Sequence, residues 1–312
     1  MPELLTICVP TYNRPEFLAE CLKSIFAQTF QDFQVVVLDN ASDKDNNQVL
    51  AAFKDPRLIY RRRKENIGPA GNINSALRDY RSTPYLMVFH DDDIMHPRLL
   101  EYEIGILEKH PEIAFVASGH APFVGQAPTF SDTVEFDYDY IASPAKLAYH
   151  LLMGAPVHFG SVVYRTSALN GIDPDRQFRS FSIIADRPLL LDVAESGGCA
   201  MLRSPLVWYR IHPAQDTKSG NLTGDHVIEL YSYYKEKLGP IWSKELAEEF
   251  FSHTGVNLVG FYRQWLSGSI VGLPSFLAKC KSAGILKYWD LRHYFSMPRW
   301  AAWFQRKMNP PL

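Results

Sequence analysis

Three consecutive carboxylates, Asp91, Asp92 and Asp93, follow the apolar run from Tyr85 to Phe89. Adjacent carboxylates repel one another, so this cluster is costly at the end of a buried strand unless a cation neutralises it. Such oxygen ligands suit Mg²⁺ or Mn²⁺, which commonly bridge carboxylates to substrate phosphates. The alternative is a solvated acidic turn or a helix cap, because runs of charge are usually surface features.

Apolar runs rich in β-forming residues alternate with segments of helical spacing along the first half of the chain. This alternation predicts crossover connections and an α/β fold, with a mainly parallel sheet flanked by helices. Ligands bind beyond the carboxyl ends of such strands. Thr11, Asp39 and the acidic triplet each follow a predicted strand, so we expect one shared cleft. The predicted strands are residues 4–9, 34–38, 58–60, 85–89, 113–117 and 161–164.

Four segments, in this order, resemble the family-two glycosyltransferases of the GT-A fold. They are ICVPTYNR from Ile7, VVLDNASD from Val36, ENIGPAGN from Glu65, and the acidic triplet with the trailing Pro97. The resemblance covers residues 4 to 213. It implies a GT-A nucleotide-diphospho-sugar transferase fold, a nucleotide-diphosphate sugar donor with UDP as the expected nucleotide, and Mn²⁺ or Mg²⁺ as the cofactor.

The resemblance also assigns residues to the nucleotide. It implies that Asp39 accepts a hydrogen bond from the base, typically from uracil N3–H, which a charged acceptor binds strongly. A helix N-cap is the alternative for Asp39, and a surface arginine is the alternative for Arg14. Gly71 stands where the family often has Arg, so either this cationic contact to the nucleotide is missing or it comes from Arg61, Arg62 or Arg63. The full nucleotide set implied is Pro10, Thr11, Tyr12, Arg14, Asp39, Asn66, Gly68, Asn72 and Asp91.

The implied metal ligands are Asp92, Asp93 and His212. His212 closes the segment WYRIH, and in similar enzymes the matching residue reaches the metal or the diphosphate. Imidazole is an acceptable ligand for Mn²⁺ and a poorer one for Mg²⁺. The alternative for His212 is a structural surface histidine. His90 departs from the family pattern, because it occupies the place of the usual first Asp.

Asp186 matches the general base of the family, in the segment IIADRPL. Ala185 stands there in place of the usual Glu, so only Asp186 carries over. Pro188 suits the first turn of a helix, which makes an N-cap the alternative role. As a base, Asp186 must reach the acceptor hydroxyl. The resemblance implies inverting, single-displacement transfer to a glycan or lipid-linked acceptor in bacterial surface polysaccharide synthesis; a retaining outcome is the alternative.

The composition bears on the partners, the cellular compartment and the domain organisation of the protein. The 312 residues carry a formal net charge of -2, which favours no nucleic-acid partner. The four cysteines form no C-x-x-C pair, which fits a reducing compartment. We see no secretory signal and no apolar run long enough to span a membrane, so a cytoplasmic protein is expected. We predict a catalytic domain over residues 1–224 and a helical C-terminal extension over residues 225–312.

The extension ends in a basic segment with interleaved aromatic residues, 279–307. We expect these aromatic residues to pack on the catalytic domain or on a second subunit of a homodimer. The alternative is that the segment lies in an anionic membrane interface and makes peripheral contact with the inner face of the membrane. Two other functions stay open for the whole chain: a non-catalytic nucleotide- or glycan-binding module of the same fold, and a sugar-nucleotide pyrophosphorylase.

Overall fold

The computed structural model describes residues 3–130, 137–155, 157–181, 184–213, 215, 224–254, 278 and 280–284. These residues form two compact units, one within Met1–Leu222 and Tyr233–Pro240, the other within Thr223–Ser232 and Ile241–Leu312. The domain boundary after residue 224 stays a prediction. Most of the basic aromatic segment 279–307 lies outside the described residues. Within the described ranges, the helices are too short or too polar to cross a membrane.

One sheet contains all the strands of the described chain. Its strands are β1 (Leu5–Thr11), β2 (Phe33–Asp39), β3 (Leu58–Arg62), β4 (Tyr85–Val88), β5 (Ile94–Met95), β6 (Ile113–Phe123), β7 (Tyr138–Ile141), β8 (Val163–Arg165) and β9 (Gly198–Arg210). The helices are α1 (Pro15–Phe26), α2 (Asn47–Ala51), α3 (Gly68–Asp79), α4 (Leu99–Lys109), α5 (Pro144–Leu152), α6 (Pro174–Phe181), α7 (Asp186–Val193), α8 (Gly224–Leu238) and α9 (Lys244–Thr254).

The order β3-β2-β1-β4 forms a parallel half-sheet, as the alternating pattern predicts. Its central strands are buried on both faces, because helices cover them. Helix α1 shows how the sequence builds this cover. Pro15 suits the first turn, and Leu18, Leu22 and Ile25 recur at helical spacing on the buried face.

The second half of the sheet mixes directions. Strand β8 pairs antiparallel with β4 and with β6, and β6 pairs parallel with β9. Strands β5 and β7 both pair antiparallel with β9. The predicted strand 161–164 begins instead with a 3₁₀ turn over Phe159–Ser161, and only Val163–Arg165 is extended. The predicted α/β class with helices flanking a central sheet is confirmed. Strands β1 to β4 pair with one another only in parallel, whereas the rest of the sheet contains both directions.

The strand order creates a crevice between β1 and β4. The chain builds β1, β2 and β3 outward on one side, then returns to add β4 on the other side of β1. This is the point where an open sheet of this kind binds ligands. Thr11 and Asp39 are paired in the last row of β1 and β2, so both stand at the same edge of the sheet. The turn after β4 carries the acidic triplet to that edge.

Helix α4 buries a carboxyl group away from this edge. Glu103 is fully buried, and neither of its side-chain oxygens has a hydrogen-bond partner among the described residues. Burial raises the pKa of Glu103 well above its ordinary value. The folded chain therefore keeps a proton that the unfolded chain releases above about pH 4.3. Above that pH, ionisation of the unfolded chain lowers the free energy of unfolding until the raised pKa is reached.

The change Glu103→Met should remove this pH-dependent loss of stability. We expect the free energy of unfolding to rise by roughly 1 to 3 kcal/mol at neutral pH, because an apolar side chain of similar size replaces an unpaired polar one. The gain over the unmodified chain should shrink as the pH falls towards about 4. Urea denaturation of both proteins across this pH range measures the difference. A variant that is less stable at neutral pH would mean that the carboxyl group has a stabilising partner.

Candidate active site

The acidic turn follows directly on β4, where the Phe89 N–H still donates to the Cys8 carbonyl of β1. All three carboxylates are buried: Asp91 is 3%, Asp92 8% and Asp93 0% exposed. Three neighbouring negative groups at such depth need separate partners, because their mutual repulsion is weakly screened. The structure provides a different set of partners for each of them.

Asp91 is bound from β1 and from the loop that follows it. The Thr11 hydroxyl donates to Asp91 Oδ2 at 2.6 Å, and Arg14 Nη1 lies 3.3 Å from Oδ1. Burial and the neighbouring Asp92 raise the pKa of Asp91 to about 7, against the opposing effects of Arg14 and Thr11. The predicted nucleotide residues Thr11, Arg14 and Asp91 are therefore in direct contact across the crevice.

Asp92 is bound by a histidine that lies 120 positions later in the chain. His212 Nε2 lies 2.8 Å from Asp92 Oδ2, and Arg14 Nη1 lies 3.1 Å from the same oxygen. The His212 ring also packs on Phe17, with 4.9 Å between the ring centroids. A carboxylate oxygen and an imidazole nitrogen thus stand side by side at the strand tips. This pair suits a divalent cation, and Mn²⁺ better than Mg²⁺.

Asp93 faces a different group of side chains. Its Oδ1 accepts a hydrogen bond from the Arg210 backbone N–H at 3.0 Å. Its Oδ2 lies 3.3 Å from His90 Nδ1 and 3.2 Å from His158 Nε2. Burial raises the pKa of Asp93, but the two imidazoles outweigh it and hold that pKa below its ordinary value. Of the three predicted metal ligands, the structure brings Asp92 and His212 together and places the Asp93 side chain with two other histidines.

Arg210 of β9 holds the acidic turn from the side. Its Nε donates to the Asp92 carbonyl at 2.9 Å, Nη1 to the Gly125 carbonyl at 2.8 Å, and Nη2 to Glu20 at 2.6 Å. Its guanidinium carbon lies 4.6 Å from the ring centroid of Phe17. The buried cation therefore fixes the backbone of the turn and offsets part of its negative charge.

Asp39 is largely occupied by its own loop. Its Oδ1 accepts from the Ser42 backbone N–H at 2.8 Å, and its Oδ2 accepts from Asn46 Nδ2 at 3.0 Å and from the Tyr60 hydroxyl. Burial raises the pKa of Asp39, but these hydrogen bonds together hold it below its ordinary value. The carboxylate thus caps the turn after β2 rather than a helix, because the N-cap of α2 is Asn46, and most of the acceptor capacity of Asp39 is used within the protein.

The loop before α3 is tied to the end of β2. Asn40 Nδ2 donates to Asn66 Oδ1 at 2.8 Å and to the Gly68 carbonyl at 3.0 Å. Gly68 has φ = 77°, a left-handed conformation that favours glycine. The hydrogen bonds from Asn40 hold this loop at the same sheet edge as Asp39. Asn66 is exposed there, and Gly68 is half-buried.

Asn72 sits deeper, with both polar ends of its side chain in use. Its Nδ2 donates to the Leu38 carbonyl at 2.7 Å, and its Oδ1 accepts from Arg63 Nε at 3.0 Å. A cavity of about 370 Å³ adjoins this contact, and its lining includes the basic run 61–64 together with Tyr80. A cation from residues 61–63 is therefore available at this edge. Pro10 is half-buried beside Thr11, while Tyr12 is 41% exposed.

Asp186 is the first residue of α7. The N-cap position belongs to Ala185, which makes no side-chain capping bond, so the N-cap alternative for Asp186 is not the observed arrangement. The side chain is half-buried. Burial raises the pKa of Asp186, against the lowering effects of Arg187 and of the nearby His158. The proposed base and the histidine beside Asp93 therefore lie within electrostatic range of each other.

Two residues that sequence reasoning left without a role now stand out. Arg210 lies in the segment WYRIH, but nothing in its sequence context indicates that it fixes the acidic turn. His158 belongs to no motif, and only the folded chain brings it to Asp93, 65 positions away in sequence. A sequence search for histidines near the family segments would find His158, but it would not show that Asp93 is its partner.

The α/β sheet flanked by helices, with an acidic turn at its switch point, has the architecture of the GT-A fold. The sequence matches Glycosyl transferase family 2 over residues 6–206, and the chain belongs to this family. A glycosyltransferase of Methanocaldococcus jannaschii, itself uncharacterized, is 32% identical over 119 residues, covering 37% of this chain and 41% of the relative. The putative glycosyltransferase EpsE of Bacillus subtilis is 25% identical over 196 residues, or 62% of this chain and 67% of EpsE.

Solved structures share the fold. S. aureus TarS 1-349 in complex with UDP-GlcNAc has a TM-score of 0.56 at 17% identity, covering 80% of this chain and 70% of TarS 1-349. The mannosyltransferase PcManGT of Pyrobaculum calidifontis, in complex with GDP-Man and Mn²⁺, has a TM-score of 0.51 at 17% identity, covering 95% of this chain and 84% of PcManGT. The chain spans well under half the length of several curated relatives, 41% for the M. jannaschii protein and 32% for one of Rickettsia prowazekii.

The change Arg210→Met should destabilise the fold through the acidic turn. We expect the free energy of unfolding to fall by roughly 2 to 4 kcal/mol, because the Asp92 and Gly125 carbonyls lose their donors. Glu20→Gln is the matched control, since it alters only the half-exposed partner of Arg210 and should cost less than about 1 kcal/mol. Chemical denaturation of both variants measures the two effects. Equal losses would assign the stabilisation to the ion pair rather than to the turn.

Proposed function

We propose that this chain is a metal-dependent, inverting glycosyltransferase that moves a sugar from a UDP-sugar donor to an acceptor hydroxyl. The observation that carries the proposal is the convergence of Thr11, Arg14, Asp91, Asp92 and His212 at the switch point of the sheet. Family membership supports the reaction class. The TarS complex with UDP-GlcNAc supports the choice of donor. The acceptor proposed is a glycan or lipid-linked glycan of a bacterial surface polysaccharide, an assignment that rests on the family.

The donor diphosphate would bind beside Asp92 and His212. These two side chains would hold a divalent cation, and their carboxylate and imidazole atoms fit Mn²⁺ better than Mg²⁺. When bound, the cation neutralises the charge that develops on the departing nucleoside diphosphate. Arg14 already lies against both Asp91 and Asp92, so it adds a fixed positive group at the same place. Asp91 would face the ribose.

The base of the nucleotide would bind at the end of β2. Asp39 is ionised there, and the Tyr60 hydroxyl that donates to it lies on β3, beside the loop of Asn66 and Gly68. A base N–H that reaches Asp39 would share the carboxylate with Tyr60 or displace it. Thr11 closes the other side through its contact with Asp91.

Asp186 would act as the general base. Its raised pKa brings the carboxylate closer to a working pH near neutrality, where a base accepts a proton most effectively. As Asp186 takes the acceptor proton, the acceptor oxygen forms a bond to the anomeric carbon. The bond from that carbon to the diphosphate breaks on the opposite face, which inverts the configuration. Holding both substrates in one cleft lowers the barrier further.

Two other functions compete with this one. Family membership weighs against a pyrophosphorylase, because that reaction belongs to proteins with a glycine-rich N-terminal loop in place of Pro10–Arg14. A non-catalytic binding module would keep nucleotide binding but lack a functional base, and the replacement of the usual Glu by Ala185 favours this alternative. The behaviour of Asp186 therefore separates an enzyme from a binding module.

The change Asp186→Asn tests the proposal. We expect sugar transfer to fall by about 10²- to 10⁴-fold, the usual contribution of a general base, while the affinity for UDP stays the same. Product formation with a panel of UDP-sugars and calorimetric binding of UDP measure the two quantities. Glu195→Gln, a change at an exposed acid just after α7, is the matched control and should leave both unchanged. Unaltered transfer by Asp186→Asn would remove Asp186 as the base, and absence of transfer by the unmodified chain would favour the binding module.

A further inference from the structure

We propose that His90, Asp93 and His158 form a second cation site, which binds a divalent first-row transition ion independently of the nucleotide. The ligand atoms are His90 Nδ1, Asp93 Oδ2 and His158 Nε2, and all three lie within 4.8 Å of one another. This site is separate from the Asp92–His212 pair that the proposed function assigns to the diphosphate metal.

The distances of both ring nitrogens from the carboxylate oxygen fit a shared ion. Both imidazole nitrogens lie close to the carboxylate oxygen, at 3.3 Å for His90 and 3.2 Å for His158. Ligands bonded to one ion at about 2.0 to 2.2 Å stand roughly 3 to 3.5 Å apart. The two rings approach edge to face, with 5.4 Å between centroids, so they reach the carboxylate from different directions.

The environment of Asp93 is the second observation. Its Oδ2 is buried and has no hydrogen-bond partner in the described parts of the chain, although two ring nitrogens lie within 3.3 Å. An unsatisfied buried carboxylate oxygen is costly, and a cation held between it and the two ring nitrogens would satisfy all three atoms. The Arg210 N–H holds Oδ1 and leaves Oδ2 as a single ligand.

The chemistry of the set selects the ion. Two imidazoles and one carboxylate favour Zn²⁺, Co²⁺, Mn²⁺ or Fe²⁺ over Mg²⁺ and Ca²⁺, which prefer oxygen ligands. Three protein ligands leave positions open for water or for a substrate oxygen, as in catalytic zinc sites. His158 also lies within electrostatic range of Asp186. The bound ion would therefore add positive charge within electrostatic range of the proposed base.

Gly160 makes room for this arrangement. A Cβ atom at this position would lie 3.0 Å from His158 Cε1, 3.2 Å from His158 Nδ1 and 3.6 Å from the His90 backbone nitrogen. A larger residue would push the His158 ring away from the turn after β4. The absence of a side chain at Gly160 thus permits the close approach of two of the three ligands.

Titration of the metal-free full-length chain with Co²⁺, without nucleotide, tests the proposal. We expect one Co²⁺ per chain, with the visible absorption of an imidazole-ligated ion and no displacement by excess Mg²⁺. His158→Gln and His90→Gln should each weaken binding by at least about tenfold, because each removes a ligand. Asp92→Asn and His212→Gln should weaken Co²⁺ binding much less, because that pair supplies only two ligands when the nucleotide diphosphate is absent.

His120→Gln is the matched control. The His120 ring lies 5.1 Å from the His158 ring, between centroids, but is not part of the ligand set, so this variant should bind Co²⁺ as the unmodified chain does. Thermal unfolding in a chelator checks that each variant is folded, and the half-exposed His90 is the safer of the two ligand positions to change. Failure of the unmodified chain to bind Co²⁺, or loss of binding in Asp92→Asn but not in His158→Gln, would overturn the proposal. Neither outcome would affect the Asp186 test, which measures transfer.

Discussion

The rest of the site depends on how three adjacent carboxylates are kept buried at the tip of one strand. Their repulsion is relieved by partners from several parts of the chain, and one of these partners, Arg14, is shared by Asp91 and Asp92. Asp91 is bound from β1, Asp92 from the segment after β9, and Asp93 by two imidazoles and a backbone N–H. Loss of any one of these contacts should destabilise the cluster, because an unpaired buried charge costs several kcal/mol.

This constraint links the site to the topology of the sheet. The contacts of Asp91 and Asp92 join residues 80 and 120 positions apart, so the acidic turn is completed only after β9 is in place. Arg210 contributes twice, since its backbone N–H holds Asp93 and its side chain holds the Asp92 carbonyl. Strand β9, the last strand to join the sheet, also supplies the last contacts of the site. This explains why the family segments extend to residue 212. A ligand cation and a diphosphate would enter an arrangement whose charges are already fixed.

Local patterns predicted the first half of the fold well. Strands β1 to β4 are continuous apolar runs that end in polar residues, and α1 repeats its apolar residues at helical spacing, so their types follow from the sequence alone. Strands β5 and β8 contain two and three residues, too few to show a period, and their directions depend on pairing with distant strands. Mixed pairing in the second half was therefore not predictable from local sequence.

The site residues also divide into contacts that the sequence predicts and contacts that depend on distant parts of the fold. The contact of Thr11 with Asp91 follows from strand ends that meet at a switch point, and the approach of His212 to Asp92 is consistent with the family resemblance. The partners of Asp93 could not be predicted, because His158 stands just before a 3₁₀ turn in a segment that carries no motif. The internal hydrogen bonds of Asp39 also depend on Tyr60 of β3, whose side chain reaches it only across the sheet.

The central claim is that Asp92 and His212 act together on a cation that the nucleotide also binds. Calorimetric binding of UDP by the unmodified chain, Asp92→Asn, His212→Gln and the double variant, each with Mn²⁺ and with a chelator, tests this directly. Mn²⁺ should strengthen UDP binding in the unmodified chain. Each single variant should lose this gain, and the double variant should lose little more. Equal affinity of the unmodified chain for UDP with Mn²⁺ and with the chelator would show that Asp92 and His212 do not act through a cation.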